Sequence, residues 1–337
     1  METEKEKPLV SFCLMACRQK ELIRDAFQAA LSQDYDNLEI CVSDDNSQDG
    51  TWEIIKEMAK DYKGPHRLVL NHNEANLGTI GNWQKLCSMA SGELFIKADG
   101  DDVSYPHRAR TIAEDWVSSG KRAAVMASSY DKMTADGQIV GELLLPGGWD
   151  ERTTREIANG AHYFYLGATF ACHRSLFDEF EPVTHPKSSD CAAFEARGLL
   201  CRKALDADGK IFHPFRTIRE KLVKYRVGTG DTTGGAYRKF MAKGIRRSLE
   251  ARRQTLDDLQ NTAKAYLPED YCRELEDIYK GLARYLDKVV QLWDGATFSE
   301  RLSAFRALPR MVGKKRMIQL LLLLPKGLSN CIFSLIR

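Results

Sequence analysis

Three carboxylates stand together directly after a short apolar segment. Residues 94–98, Leu-Phe-Ile-Lys-Ala, lead into Asp99, Gly100, Asp101 and Asp102. An apolar run of this length is typical of a buried parallel strand, and open α/β sheets bind ligands beyond the carboxyl ends of their strands. Crowded carboxylates repel one another unless a cation lies between them. Because alternate oxygen ligands suit Mg²⁺ or Mn²⁺, we predict a divalent cation on Asp99 and Asp101, with a solvated acidic turn as the alternative.

A second acidic loop follows an earlier apolar segment. Residues 38–42, Leu-Glu-Ile-Cys-Val, are followed by Ser43, Asp44 and Asp45 and by further Asp, Asn and Ser residues. The carboxylate of Asp44 or Asp45 can accept a hydrogen bond from a ring N–H such as N3 of uracil. With a cation that holds a diphosphate on the later acidic cluster, this pattern predicts a nucleotide-diphosphate ligand. The alternative is a helix-capping loop, for which Asp, Asn and Ser are the usual residues.

Strand-like and helix-like segments alternate through the first 100 residues. Apolar runs predict strands at 9–15, 38–42, 67–70 and 94–98, and three- and four-residue spacing predicts helices at 22–31, 52–59 and 81–90. This alternation predicts an α/β fold with a mostly parallel, doubly wound sheet, whose active edge is formed by the loops after the strands. A dinucleotide dehydrogenase and a P-loop NTPase are excluded, because no GxGxxG follows the first strand and no GxxxxGK[ST] occurs.

The composition and the cysteines indicate neither a secreted nor a membrane-spanning protein. The chain has 337 residues, 43% of them hydrophobic, which suffices for one large domain or one domain with an appendage. Its nine cysteines form no CxxC pair, its seven histidines form no zinc pattern, and no apolar stretch reaches the roughly 18 residues of a membrane span. No apolar leader precedes Pro8. We therefore expect a cytoplasmic protein with reduced thiols.

The charge is distributed unequally along the chain. The formal net charge is +2, but residues 301–337 carry +8 and no acid, so the rest of the chain sums to −6. After a helical extension at 236–309, the segment 310–337 combines a basic cluster with two apolar runs. Such a segment can lie on an anionic membrane surface, which predicts a peripheral protein on the inner face of the cytoplasmic membrane. The alternative is docking of its leucines on the catalytic domain or a second subunit; nucleic acid is disfavoured because few aromatic residues are interspersed.

Several motifs, taken in order and spacing, resemble those of the family 2 glycosyltransferases. The matching stretches are residues 11–15, 33–35, 38–40, 43–51, 76–78 and 98–102. The resemblance is close over about the first 130 residues and looser to Gly235. It implies a Rossmann-like GT-A domain over residues 1–235. It also implies metal-dependent, inverting transfer of a sugar from a nucleotide-diphosphate donor, expected to be a UDP-sugar, to a hydroxyl of a glycan or lipid-linked glycan, as in bacterial surface-polysaccharide synthesis.

The resemblance also implies roles for individual carboxylates. The family's acid after the second strand contacts the base and maps to Asp45, while its DXD carboxylates contact ribose and metal and map to Asp99 and Asp101. The loop after the first strand departs from the family, because Met15 to Arg18 replace the frequent Pro-x-Tyr-Asn. Contacts from that loop to the nucleotide are therefore not carried over.

One acid in the second half matches the family's catalytic base. Ser188, Ser189 and Asp190 precede residues at helical spacing that begin with Ala193. In similar glycosyltransferases an Asp just before such a helix is the base, and here only Asp190 fits. The alternative is that Asp190 serves only as a helix cap.

The segment that resembles the family's Tyr-Arg-x-His motif lacks the histidine. Tyr225 and Arg226 are present, but Gly228 stands where the histidine would be. Either Lys224 or Arg226 then neutralises the phosphates, or water completes the coordination of the metal. The missing histidine favours an alternative function, a catalytically silent GT-A-like domain that binds nucleotide sugar or glycan as an assembly partner. The intact DGDD sequence and Asp190 favour the enzyme.

Overall fold

The structure is a computed structural model, and it divides the chain into two compact units. The described residues are 7–150, 166–182, 215–227 and 297–306, with Arg273, Lys280, Arg284 and Lys288. The first unit comprises Met1–Pro186 and Asp190–Gly230, and the second comprises Lys187–Ser189 and Asp231–Arg337. Asp190, Gly228 and the segment 310–337 lie outside the described residues, so the predictions made for them remain predictions.

The first half of the sheet is parallel, as the alternation of apolar runs and helices predicts. Its strands are β1 (Val10–Ala16), β2 (Leu38–Asp44), β3 (Arg67–His72) and β4 (Leu94–Asp99), in the spatial order β3-β2-β1-β4. Every residue of β1 and β2 is buried. A strand covered on both faces needs apolar residues at successive positions, which explains the continuous runs in the sequence.

Helices cover the parallel strands and connect them. They are α1 (Ile23–Leu31), α2 (Thr51–Asp61), α3 (Gly78–Met89) and α4 (Arg108–Ser118). In α1, Ile23, Ala26, Phe27 and Ala30 are buried at three- and four-residue spacing, and Trp116 of α4 joins the same core. This apolar stripe is what fixes each helix on the sheet.

The second half makes the sheet mixed. Its strands are β5 (Val103–Ser104), β6 (Val125–Met133), β7 (Ile139–Leu143), β8 (Gly148–Trp149), β9 (Phe170–His173) and β10 (Phe215–Arg226). The order continues as β4-β9-β6-β10-β5. Strand β9 runs antiparallel to both of its neighbours, β4 and β6, whereas β10 runs parallel to β6. Strand β7 forms an antiparallel hairpin with β6. A short helix α5 (Ser175–Asp178) follows β9, and α6 (Phe298–Arg306) belongs to the second unit.

The register of β1 brings the two acidic loops together. Along β1, Ala16 lies opposite Asp44 of β2, and Met15 lies opposite Asp99 of β4. Because all three strands run in one direction, both acids stand at the same edge, one on each side of the end of β1. Strand order and register thus produce the juxtaposition that the sequence analysis predicts.

Candidate functional site

Asp44 is an anchored acid at the end of β2. Its side chain is fully buried, and its Oδ2 accepts a hydrogen bond from the Ser47 amide at 2.9 Å and pairs with Nδ1 of His72 at 2.8 Å. Its Oδ1 is buried and has no hydrogen-bond partner. A buried carboxylate oxygen without a donor costs free energy, so the loop after β2 has one unused acceptor.

Asp45, the next residue, holds the start of α3. Its Oδ1 accepts hydrogen bonds from the Leu77 amide at 2.7 Å and from Nδ2 of Asn73 at 2.9 Å, and its Oδ2 accepts one from the Gly78 amide at 2.9 Å. The carboxylate therefore satisfies amides at a helix N-terminus, where negative charge is favourable. Since a carboxylate oxygen has two lone pairs, Oδ2 retains capacity for one further donor, such as a ring N–H.

Asp99 is paired with a buried lysine that the sequence analysis missed. Its carboxylate accepts a hydrogen bond at 2.6 Å from Nζ of Lys97, whose side chain is 4% exposed against 25% for Asp99. Lys97 lay inside the segment interpreted only as an apolar strand. The available signal was the period of two, because residues 97 and 99 of one strand point to the same face.

Asp101 lies between Gly100 and Asp102 in the DGDD loop (residues 99–102). Among the described residues, no other residue donates a hydrogen bond to its carboxylate. Burial, and secondarily the charge of Asp99, raise the pKa of Asp101 above its ordinary value. Raised pKa values report a carboxylate that is costly to keep ionised, and a nearby cation would relieve that cost.

The donor atoms present fit a divalent cation that also binds its substrate. Within the described part of the chain, no group of three or more His, Cys, Asp or Glu side chains is arranged to hold a metal ion. Asp99 and Asp101 together offer two carboxylates, and Mg²⁺ or Mn²⁺ sites on substrate phosphates commonly use one or two. These two residues are therefore the ones that would hold the metal, with the remaining positions left to substrate oxygens and water.

Asp102 and Arg226 fasten the DGDD loop to β10. Burial, and then the charges of Asp101 and Asp99, raise the pKa of Asp102 well above its ordinary value, and its Oδ1 accepts a hydrogen bond from the Arg226 amide at 2.7 Å. The Arg226 guanidinium donates from Nε to the Asp101 carbonyl at 2.9 Å, and from its other nitrogens to the carbonyl of Ala135 and the carboxylate of Asp25. The guanidinium of Arg226, which is predicted to bind the nucleotide, thus donates its hydrogen bonds to protein groups.

A buried arginine, Arg108, lies behind the DGDD loop. Arg108, at the start of α4, is fully buried and donates to Ser104 Oγ at 2.9 Å and to the carbonyls of Lys97 and Ala168 at 2.8 Å each. Burial lowers the pKa of Arg108 to about 10, although the charges of Asp99 and Asp102 oppose the shift. Nothing local in the sequence indicates this role, because Arg108 occupies an ordinary position in an amphipathic helix.

The family to which the chain belongs follows from its match to a family model. The model for Glycosyl transferase family 2 matches residues 11–180, which are half of the chain and include both acidic loops. The chain belongs to this family. The resemblance inferred from the motifs is therefore confirmed.

Curated relatives of this family 2 chain are similar to its first part. One is the Escherichia coli UDP-Glc:alpha-D-GlcNAc-diphosphoundecaprenol beta-1,3-glucosyltransferase WfaP. It is 35% identical over 94 residues, which are 28% of this chain and 36% of that protein. The chain spans about a third of the length of the curated relatives it matches.

Solved structures confirm the predicted GT-A fold. S. aureus TarS 1-349 in complex with UDP-GlcNAc superposes with a TM-score of 0.57 at 15% identity, covering 95% of this chain and 88% of that chain. The mannosyltransferase PcManGT from Pyrobaculum calidifontis, in complex with GDP-Man and Mn2+, gives a TM-score of 0.54 at 16% identity, covering 98% and 88%. At these identities the likeness concerns the fold.

The roles predicted for individual site residues remain predictions. Asp190 and Gly228 are outside the described residues, and so is the basic segment. Of the helices that the structure describes, none has the length and apolar character required to cross a bilayer.

Proposed function

We propose that this protein is a metal-dependent, inverting glycosyltransferase that moves a sugar from a UDP-sugar to a hydroxyl of a lipid-linked or membrane-presented glycan. The observation that carries the proposal is the register of β1, which sets Asp44 and Asp99 on either side of its end. A nucleotide laid across that end would meet one acidic loop with its base and the other with its ribose and diphosphate. Family membership supports the same reaction class.

The two acidic loops bind different parts of the nucleotide-sugar donor. Asp45 meets the base, where the remaining acceptor capacity of its Oδ2 can receive a ring N–H, and the buried Asp44 holds the loop after β2 in place through Ser47 and His72. Asp99 would accept hydrogen bonds from the ribose hydroxyls and, with Asp101, would hold Mg²⁺ or Mn²⁺. When bound, the cation stabilises negative charge on the diphosphate as it leaves.

The charges around the DGDD loop support joint binding of metal and nucleotide. Lys97, Arg108 and Arg226 offset part of the negative charge of the three carboxylates of the loop. A diphosphate brings further negative charge into this partly buried place. We therefore expect the cation to bind mainly together with the nucleotide, as the divalent ions of phosphate-transferring sites do.

The chemical step is a direct displacement. Asp190 takes the proton of the acceptor hydroxyl, the acceptor oxygen forms a bond to the anomeric carbon, and the bond from that carbon to the diphosphate oxygen breaks. The leaving group keeps the electron pair and departs as nucleoside diphosphate, so one inversion occurs at the sugar. A positioned general base contributes about 10²–10⁴-fold to such a step.

Two observations support the proposed acceptor: the name of one relative and the composition of the basic segment 310–337. The name of WfaP specifies a diphosphoundecaprenol-linked acceptor, which is a membrane lipid. Residues 310–337 of this chain have the composition of a segment that lies on an anionic membrane. Both support an acceptor presented at the membrane surface.

Release of nucleoside diphosphate from a panel of sugar donors with Mn²⁺ tests the proposal. We expect Asp190→Asn to retain donor affinity and to lose about 10²–10⁴-fold in transfer, because only the base is removed. Asp101→Asn should make donor binding independent of Mn²⁺. The matched control is Asp36→Asn, an exposed acid that pairs with Lys7 at 2.7 Å, which should behave as wild type.

Two outcomes would contradict the proposed enzyme. Normal turnover in Asp190→Asn would show that Asp190 is not the catalytic base. Donor binding without any nucleoside diphosphate release, across all donors and glycan acceptors, would favour the catalytically silent binding domain.

A further inference from the structure

Arg226, the last residue of β10, joins three segments that are distant in the sequence. Its amide and its Nε bind the DGDD loop through Asp102 and through the carbonyl of Asp101. Its two terminal nitrogens bind the carbonyl of Ala135, in the turn between β6 and β7, and the carboxylate of Asp25 on α1. Arg226 therefore fixes the position of the DGDD loop relative to the β6–β7 turn and to α1.

The opposite side of the DGDD loop is held by β1. The amide of Gly100 donates to the Met15 carbonyl at 2.9 Å, and the amide of Asp102 donates to the Asp99 carbonyl at 3.1 Å, which closes the turn. With Arg226 on the other side, the backbone on both sides of Asp101 is fixed. This fixes the direction of the Cα–Cβ bond of Asp101 and so limits the positions that its carboxylate can reach.

The Arg226 guanidinium is poorly placed to serve as a phosphate ligand. The side chain is only 4% exposed, and its nitrogens already donate to two carbonyls and one carboxylate. Contact with a diphosphate would require breaking these bonds and leaving buried carbonyls without donors, which is costly. A lysine could not replace it, because a single ammonium cannot reach acceptors arranged around a planar fork.

We infer that Arg226 is a positioning residue, which orients Asp101 toward the metal by fixing the DGDD loop, and that it does not contact the diphosphate. This inference rests on the proposed function for the metal, whereas its structural part, the fixing of the loop, stands on the contacts alone. Groups that orient metal ligands typically affect metal affinity 10–100-fold when they are changed.

The test compares Arg226→Lys and Arg226→Met with Arg216→Lys in the full chain. Arg216 is a matched control because it lies on the same strand, is 14% exposed and makes a bidentate pair with Asp115 at 2.7 and 2.8 Å, at the other end of β10. Three quantities are measured: hydrogen–deuterium exchange of a peptide spanning residues 97–104 without ligand, UDP affinity in EDTA, and Mn²⁺ affinity in the presence of UDP.

For the Arg226 variants we expect faster exchange in the DGDD loop, an unchanged UDP affinity in EDTA, and Mn²⁺ affinity weakened about 10–100-fold. The Arg216 variant should change none of these. If Arg226→Met does not fold, Arg226→Lys still carries the comparison, since it retains the charge and the length of the side chain.

Other outcomes have distinct meanings. A loss of UDP affinity in EDTA with unchanged loop exchange would show that Arg226 binds the diphosphate and would overturn the inference. Unchanged values in all three measurements would overturn it as well. Faster loop exchange in a protein whose wild type binds no Mn²⁺ with UDP would uphold the positioning of the loop and refute the metal part of the proposed function.

Discussion

At the scale of single residues, the site is a set of buried charges that balance one another. Lys97 and Asp99 form an ion pair at 2.6 Å with the lysine almost fully buried. Removing one partner of such a pair leaves an uncompensated charge in a low dielectric, which costs more than the pair contributes. The same lysine keeps Asp99 in place when no cation is bound.

We predict that Lys97→Met destabilises the protein by about 3 kcal/mol, at the low end for a broken buried pair because Asp99 stays 25% exposed. Urea unfolding measures the loss. The double variant Lys97→Met with Asp99→Asn should recover part of it, since no charge is then left unpaired. Lys56→Met, which removes an exposed pair with Glu53, should change stability by less than about 0.5 kcal/mol.

Equal stability of the single and double Lys97 variants would show that the charge of Asp99 is already compensated by another group. Addition of Mn²⁺ with UDP provides a second check. It should stabilise Lys97→Met more than wild type, because the cation replaces the missing positive charge.

At the scale of elements, the close approach of the DGDD loop to β1 depends on the absence of a side chain at Gly100. A Cβ on Gly100 would lie 2.3 Å from Oε1 of Gln19, 3.0 Å from the Met15 carbonyl and 3.0 Å from Cδ1 of Ile23. Gln19 accepts a hydrogen bond from the Cys17 amide, so it also orders the loop after β1. A side chain at this position would therefore push Gln19 aside and crowd the Met15 carbonyl where these two loops pack together.

We predict that Gly100→Ala costs about 1–3 kcal/mol in thermal or urea unfolding and weakens Mn²⁺ binding in the UDP complex, because the loop must move away from β1. Adding Gln19→Ala removes the nearest contact and should restore part of the stability, though the Met15 carbonyl remains. The control is Gly141→Ala on β7, whose Cβ would meet only Lys132 Cδ at 3.8 Å. Full wild-type stability of Gly100→Ala would contradict the close packing.

Much of the parallel half was predictable, whereas the second half was not. The strands before both acidic loops are short, largely apolar runs between helices, and these features are local. The antiparallel direction of β9 is not, because a run such as Phe170 to His173 has the same pattern in either direction. The role of Arg226 was also hidden, since its partner Asp102 is 124 residues away and Asp25 is 201 away.

At the scale of the whole molecule, the chain combines an acidic majority with a strongly basic end. The charge of +8 over residues 301–337 against −6 elsewhere would orient the protein at an anionic surface. Each basic residue near such a surface contributes about 1 kcal/mol. An enzyme held at the membrane in this way would meet a lipid-linked acceptor by diffusion within the plane of the membrane.

We predict that the full chain floats with phosphatidylglycerol vesicles at low salt, and that replacing Lys314, Lys315 and Arg316 by Gln weakens binding on the order of 100-fold. High salt should abolish the difference. As the charge-matched control, Gln at the exposed Lys20, Lys60 and Lys63 should leave flotation unchanged. Unaltered flotation of the first variant, with lost solubility or a changed oligomeric state, would instead support docking of this segment on protein.

The long reach of Arg226 has a consequence for how the enzyme is made. The loop that would carry the metal is synthesised by residue 102, but the residue that fastens it follows 124 positions later. Domains fold as the chain leaves the ribosome, amino-terminal parts first. A nascent chain that ends before residue 226 therefore lacks the contacts that fasten the DGDD loop to β10, and a prematurely terminated product would hold this loop only through β1.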